Sequence, residues 1–185
     1  MNQYIPIFFN IWSEGWGYKN CKRYQQKGMV AISIEYRLLD IHGSNIIDCI
    51  EDANSAILWV REQAKVLGID PNRVVAAGFS AGGHLATSTA TLDEFRLKQG
   101  KFNSKPNALV VHSASYDTTK SNFFKRKSNG KPESISTFHN IKKGMPPSIF
   151  FHGTDDHLAP IMEFTKFRDK MNALNNDFDY KIFYN

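Results

Sequence analysis

Between residues 74 and 91 the chain reads Val74-Val75-Ala76-Ala77-Gly78-Phe79-Ser80-Ala81-Gly82 and continues in a helix-compatible stretch to about Thr91. An uninterrupted apolar run is the pattern of a strand buried on both faces. A serine with glycines at i−2 and i+2 joins that strand to the helix. Such a turn is so sharp that Ser80 must take strained backbone angles, and a side chain at either glycine would collide with the neighbouring strand or helix. A Gly-x-Ser-x-Gly pentapeptide alone also occurs in ordinary loops. Here the strand before it and the helix after it make it a strand–serine–helix elbow.

Strand-like and helix-like runs alternate along the rest of the chain. Ile5-Pro6-Ile7-Phe8-Phe9 and Met29 to Ile34 are apolar runs, with a helix-compatible Asn20 to Lys27 and a Gly28 stop between them. Ile46, Ile50, Ala53, Ile57, Val60, Ala64 and Leu67 recur at alternating spacings of four and three, one face of a long amphipathic helix. Ser44 or Asn45 can cap it and Gly68 closes it. Further strands are expected at Ala108 to His112, Ser148 to His152 and Asp179 to Tyr184. Pro160 stands near the first turn of another helix, with Phe164, Phe167, Met171 and Leu174 on one face. Apolar strands separated by helices predict an α/β fold, a mostly parallel sheet with helices on both faces. We expect one domain over residues 1–185, with a polar excursion at 115–144 that lies over the carboxyl ends of the strands beside the elbow.

The 185 residues are 42% hydrophobic and 22% charged, enough for one real core. The net charge of +5 is local: seven basic residues against one acid, Glu133, lie between Lys120 and Lys143. A nucleic-acid surface is conceivable there, but a Ser- and Asn-rich solvated insertion fits the composition better. No apolar run approaches the ~20 residues of a membrane span. Met1-Asn2-Gln3-Tyr4-Ile5 lacks a basic n-region, so no signal peptide is expected and the default location is cytoplasmic. Cys21 and Cys49 have no metal spacing and read as reduced core or near-core residues.

A serine hydroxyl needs a base to take its proton and a carboxylate to orient that base. Ser80 is the candidate nucleophile, and the amide of Ala81 the candidate oxyanion donor. In this arrangement the chain order is serine, acid, histidine. Phe151-His152-Gly153-Thr154-Asp155-Asp156 ends a later strand, which points to Asp156, ahead of Asp155, as the acid. The competing reading is an aspartate that caps the helix near Pro160. The histidine is expected after the last strand, where the sequence stops at Asn185. The six histidines present are poor substitutes: His42 is expected to be structural or at the site rim, His84 to pack or make a local hydrogen bond, and His112 and His152, which end strands beside the site, to support it and not act as base, while His139 lies in the polar excursion and His157 adjoins Asp156 too closely to be oriented by it and reach Ser80.

Glu35-Tyr36-Arg37-Leu38, Glu51-Asp52-Ala53, Trp59-Val60-Arg61, Leu67 to Arg73, Gly78 to Ala86 and His152 to Asp156 together resemble the esterase branch of the α/β-hydrolases related to hormone-sensitive lipase. The likeness is greatest to bacterial acetyl-xylan and feruloyl esterase-like proteins. It implies the α/β-hydrolase fold without its first two strands and last helix, with Ser80 and Asp156 as two triad members. It also implies hydrolysis of carboxylic esters, acetyl esters on carbohydrate foremost, with no metal and no cofactor. The partner is then a small ester or an acylated carbohydrate, with no nucleic acid and no membrane. The family's His-Gly-Gly-Gly oxyanion loop corresponds to Phe8-Phe9-Asn10-Ile11-Trp12-Ser13-Glu14-Gly15, about two residues shorter and without its glycine run. Loss of the base costs about 10⁶ in turnover and of one oxyanion donor about 10²–10³, so near-background activity is expected of this chain. An uncovered Met29–Ile34 edge predicts marginal stability or self-association. The alternative is a non-catalytic member that binds a small ligand in the same pocket, as hormone receptors of the family do; a peptidase is a weaker third.

Overall fold

The apolar runs become the strands of a parallel sheet. The computed structural model describes residues 5–9 and 13–184. In chain order the elements are β1 (Ile5–Phe9), α1 (Ser13–Gln25), β2 (Ile32–Ile34), α2 (Leu39–His42), α3 (Ile46–Glu62), α4 (Ala64–Leu67), β3 (Val74–Phe79), α5 (Ala81–Thr91), the two-residue strands β4 (Lys98–Gln99) and β5 (Phe102–Asn103), β6 (Ala108–His112), α6 (Asn122–Lys127), β7 (Ser148–Gly153), α7 (Ile161–Ala173) and β8 (Phe178–Phe183). Six strands form the main sheet in the order β2-β1-β3-β6-β7-β8, every neighbour parallel. β4 and β5 make a separate antiparallel pair.

The order reverses at β1. From β1 the chain steps to β2 on one side, then crosses back to β3 and continues outward through β6, β7 and β8. Right-handed crossovers therefore put α1 on one face and α3, α5 and α7 on the other. The carboxyl ends of β1 and β3 flank the resulting crevice, the place where open α/β sheets bind ligands. The elbow serine follows β3 directly.

Local signals set the helix ends. Asn45 caps α3 through a reciprocal box: its Oδ1 accepts from Ile47 N and Asp48 N, and the Asp48 carboxylate accepts from Asn45 N at 2.8 Å. Gly68 ends α4 with φ of 66°. α7 buries Phe164, Phe167 and Met171, which join Tyr116 and Phe150 in an aromatic cluster; the Tyr116 and Phe167 centroids are 4.2 Å apart. One hydrophobic cluster runs from Ile7 through Ile57, Val111 and Phe150 to Met171.

The structure moves some boundaries. The 46–67 helix is interrupted at Gln63. There the buried Arg61 guanidinium turns onto the carbonyls of Pro71 and Lys105 and onto Asn107 Oδ1, tying the end of α3 to the starts of β3 and β6. β2 pairs over three residues and not from Met29; it is an edge of the sheet among the described strands. α1 begins seven residues before Asn20. The 115–144 excursion contains a helix, α6, that composition alone did not reveal.

Candidate functional site

Ser80 has φ of 54° and ψ of −120°, a conformation that L-residues avoid. Neighbouring backbone holds it there. Its N–H donates to His112 O at 2.9 Å, and its carbonyl accepts from His84 N at 3.0 Å, the first turn of α5. Gly78 is obligatory for close approach: a Cβ there would lie 2.2 Å from the carbonyl carbon and oxygen of Gly82 and 2.7 Å from Gly83 N. Gly83 is a constraint that the sequence reading missed. Its Cβ would come within 2.9 Å of the Ala114 methyl and 3.2 Å of His112 O, because α5 rests directly on the end of β6. The Gly82-Gly83 doublet is the sequence signal for it. Ala81 is the first residue of α5, so its N–H has no acceptor within the helix.

Ser80 and Ala81 open into a cavity of about 490 Å³, whose other walls include Tyr36, Leu38, His84, Leu85 and Phe124. That volume is in the usual range for a small-molecule site. Arg37 also lines the cavity and is held by α3. Its guanidinium binds Asp52 at 2.8 and 3.0 Å, it donates to Asp48 O at 3.1 Å, and its backbone N–H also reaches Asp52. Burial works to raise the Asp52 pKa, but the Arg37 hydrogen bonds prevail and hold it below the ordinary value. Cys49 Sγ donates to the carbonyls of Arg37 and Asn45; burial pushes its pKa up to about 11, so it stays a thiol.

Two polar side chains on the cavity wall are incompletely satisfied. His84 is buried, and its Nδ1–H donates to Ser115 O at 3.1 Å, leaving Nε2 without a partner. Burial lowers its pKa to about 4, so the ring is neutral. The buried Tyr36 hydroxyl also lacks a partner, and burial raises its pKa.

Asp156 lies three residues beyond β7, at the same carboxyl rim as Ser80. The register pairs Phe79 with His112 and His112 with Phe151, so β3 and β7 are two strands apart, about 10 Å between axes. Asp156 Oδ1 accepts from Leu158 N at 3.0 Å and Ala159 N at 2.8 Å. It thus ties the loop before α7, whose own N-cap is Pro160. Asp156 Oδ2 faces His152 Nε2 at 3.9 Å. That imidazole is fully engaged on this side, since its Nε2–H donates to Ala159 O at 2.7 Å. Asp155 is exposed and accepts from the Thr154 hydroxyl.

The histidines make local contacts. His42 Nδ1 accepts from Leu38 N, His139 Nδ1 pairs with the Ser136 hydroxyl at 2.8 Å, and His112 stacks on Phe151. His157 is exposed beside Asp156. Phe123 and Phe124 of α6 also line the cavity. The signal for them was an aromatic pair inside a Ser-, Asn- and Lys-rich stretch. Residues 10–12, the centre of the shortened oxyanion loop, lie outside the described residues, as does Asn185. Among the described residues no group of three metal-ligating side chains is assembled, and no helix is long and apolar enough to cross a membrane.

Comparison with known proteins agrees with this geometry. The BD-FAE family model matches residues 10–115. An acetylxylan esterase of Xylanibacter ruminicola is 28% identical over 151 residues, which is 79% of this chain and 31% of that protein. Esterase LipC of Mycobacterium tuberculosis is 24% identical over 182 residues, 86% of this chain and 44% of that protein. The chain therefore spans less than half the length of these two curated relatives. Among solved structures, Thermogutta terrifontis esterase 2 phosphoramylated by tabun superposes with a TM-score of 0.90 at 31% identity, covering 99% of this chain and 72% of that one. The propionate-bound form of the same esterase gives 0.90 at 30% identity over the same shares.

Proposed function

This chain belongs to the BD-FAE family of α/β-hydrolase esterases, and from that footing we propose that it is the core of a serine hydrolase that cleaves carboxylic esters, with short acyl groups on carbohydrate as its substrates. The observation that carries the reading is the Ser80 backbone, bent at φ of 54° at the mouth of a cavity on the carboxyl rim. Strain of that kind costs about 1–3 kcal/mol and persists where it serves a site.

In the proposed mechanism Ser80 Oγ attacks the ester carbonyl. The carbonyl oxygen becomes an oxyanion that accepts from Ala81 N–H, at the positive end of α5. Asp156 serves as the orienting carboxylate: Oδ1 is fixed by two amides, and Oδ2 is the oxygen left for an imidazole N–H. The Thr154 N–H donates to Phe183 O at 2.9 Å, so chain leaving β8 emerges beside the Asp156 loop. In the proposed mechanism a histidine that follows β8 stands there. It would take the Ser80 proton, pass it to the departing alcohol, and then activate water against the acyl-enzyme.

The relation to an acetylxylan esterase supports acetyl on carbohydrate. A cavity of about 490 Å³ exceeds what an acetyl group fills, so part of the alcohol enters it too. The test is hydrolysis of p-nitrophenyl acetate and acetylated xylo-oligosaccharides by the protein as its gene encodes it, with Ser80→Ala and Asp156→Asn. Losses of about 10⁶ and 10⁴ in turnover are expected. Unchanged turnover in Ser80→Ala would refute the reading. Tight binding of the oligosaccharide with no turnover in the parent would instead assign the pocket to ligand binding alone.

A further inference from the structure

α6 walls the cavity with apolar residues and carries cations on the rest of its surface. Phe123 and Phe124 line the cavity that opens at Ser80, and the next three residues are Lys125, Arg126 and Lys127. On a helix Lys127 stands one turn from both phenylalanines, so the cavity-lining stripe continues into a charge. Lys120 precedes α6 and Lys131 follows it, and no acid intervenes from Thr118 to Pro132. Lys120, Lys125, Arg126 and Lys131 are exposed, and Lys127 is half-buried. None of the five makes an ion pair among the described residues.

Some other cations of the chain are paired. Arg37, on the cavity wall, faces Asp48, Glu51 and Asp52. Lys142 pairs with Asp93, and Lys170 donates to Phe138 O. Cations in the last turn of a helix favour its dipole, which accounts for Lys125 to Lys127 in part but not for Lys120 or Lys131, which lie outside α6. Five unpaired positive charges between Lys120 and Lys131, three of them on the helix whose phenylalanines form part of the cavity rim, repel one another, and an anion relieves that repulsion.

We propose that this rim selects an ester substrate whose alcohol portion is anionic: an acylated polysaccharide that bears uronate carboxylates, in preference to a neutral one. The inference rests on the hydrolase reading of Ser80 for the word ester; the rim's preference for an anion is separate from it. The cavity interior around Leu38, Leu85 and Phe124 is apolar and its one lining cation, Arg37, is already bound to Asp52, so the charged part of the substrate stays outside, against α6. The wall with Asp48, Glu51 and Asp52 carries one arginine for three carboxylates and disfavours the reverse orientation. Three cations at about 10 Å from a bound carboxylate, in solvent, raise affinity about fivefold near 10 mM salt and about twofold near 150 mM.

The test measures binding, so that it does not depend on turnover. The full-length protein with Ser80→Ala is titrated with acetylated glucuronoxylan oligosaccharides and with neutral acetylated xylan oligosaccharides of equal length, with and without K125Q/R126Q/K127Q. The acidic sugar is expected to bind about fivefold tighter at low salt. That advantage should vanish by about 0.5 M salt and in the triple variant, whose melting temperature stays that of the parent. Equal affinity for the two sugars, an advantage that survives the substitutions, or no binding of either sugar overturns the proposal. Poly-glutamate binding as tightly as the acidic sugar also overturns it, marking a general surface for acidic polymers or proteins. Hydrolysis of p-nitrophenyl acetate by the parent protein reads the Ser80 chemistry separately.

Discussion

Replacing Gly78 by alanine tests the elbow most directly. The added Cβ would lie 2.2 Å from both the carbonyl carbon and the oxygen of Gly82 and 2.7 Å from Gly83 N. All three are backbone atoms at the start of α5, so no side chain can rotate away. Ordinary contact needs the first turn of α5 to retreat by more than 1 Å. That movement would break the hydrogen bond from Ser80 N to His112 O, now 2.9 Å, and press Gly83 away from Ala114. Overpacking of a well-packed site costs about 1–3 kcal/mol, more where backbone must shift, and loss of a buried backbone hydrogen bond adds about 1 kcal/mol. A loss of about 3–4 kcal/mol is expected, which in a chain of this size lowers the melting temperature by roughly 6–16 °C. Two further alanines grade the effect. At Gly83 the nearest atoms are at 2.9 and 3.2 Å, and the gain of about 1 kcal/mol in helix propensity offsets part of the strain. At Gly153 nothing lies within 4 Å, so no change is expected. The assay is thermal unfolding by circular dichroism, with fluorophosphonate labelling of Ser80 as the second readout. If Gly78→Ala melts within about 1 °C of the parent, or falls no further than Gly153→Ala, the steric account of the elbow is wrong.

Two other outcomes follow from the same region. Burial holds the His84 pKa at about 4 in the folded chain, against about 6.5 unfolded. The unfolded state therefore binds the extra proton first; His84 contributes its full stability above about pH 6.5 and loses it as pH falls towards 4, up to about 3 kcal/mol. His84→Gln should flatten the urea midpoint against pH over that window, and an unchanged slope would count against it. Ser80→Gly removes the penalty of φ at 54° and should raise stability by about 1 kcal/mol while abolishing fluorophosphonate labelling. Ser80→Ala, which keeps the strained backbone, should lose the labelling without gaining the stability.

The elbow and its two flanking elements were legible because their signals are local. A glycine two residues before the serine, an apolar run before it and a helix after it leave few conformations open. The period of Ile46 to Val60 and the Asn45 cap are local in the same sense. The cavity was not legible in this way. Tyr36 and Arg37 follow β2, Cys49 sits on α3, His84 on α5 and Phe124 on α6, and nothing in their spacing announces a shared wall. Asp156 shows the limit of motif reasoning from the other side. Its strand-end position was readable, but its two amide bonds to Leu158 and Ala159 and the engagement of His152 by Ala159 O depend on how the loop folds back before α7.

Sequence alone determined the α/β character, the main-sheet strands and the longer helices but for their ends, and the bend at Ser80, since backbone sterics and side-chain periodicity act within a few residues. The strand order was decided by tertiary packing, and with it the crevice between the ends of β1 and β3 where Ser80 stands. The same packing brought Phe123 and Phe124 of α6 to the cavity at Ser80 from about forty residues further along the chain. The physical reason is that burial rewards whichever faces meet, and which faces meet is a property of the whole sheet.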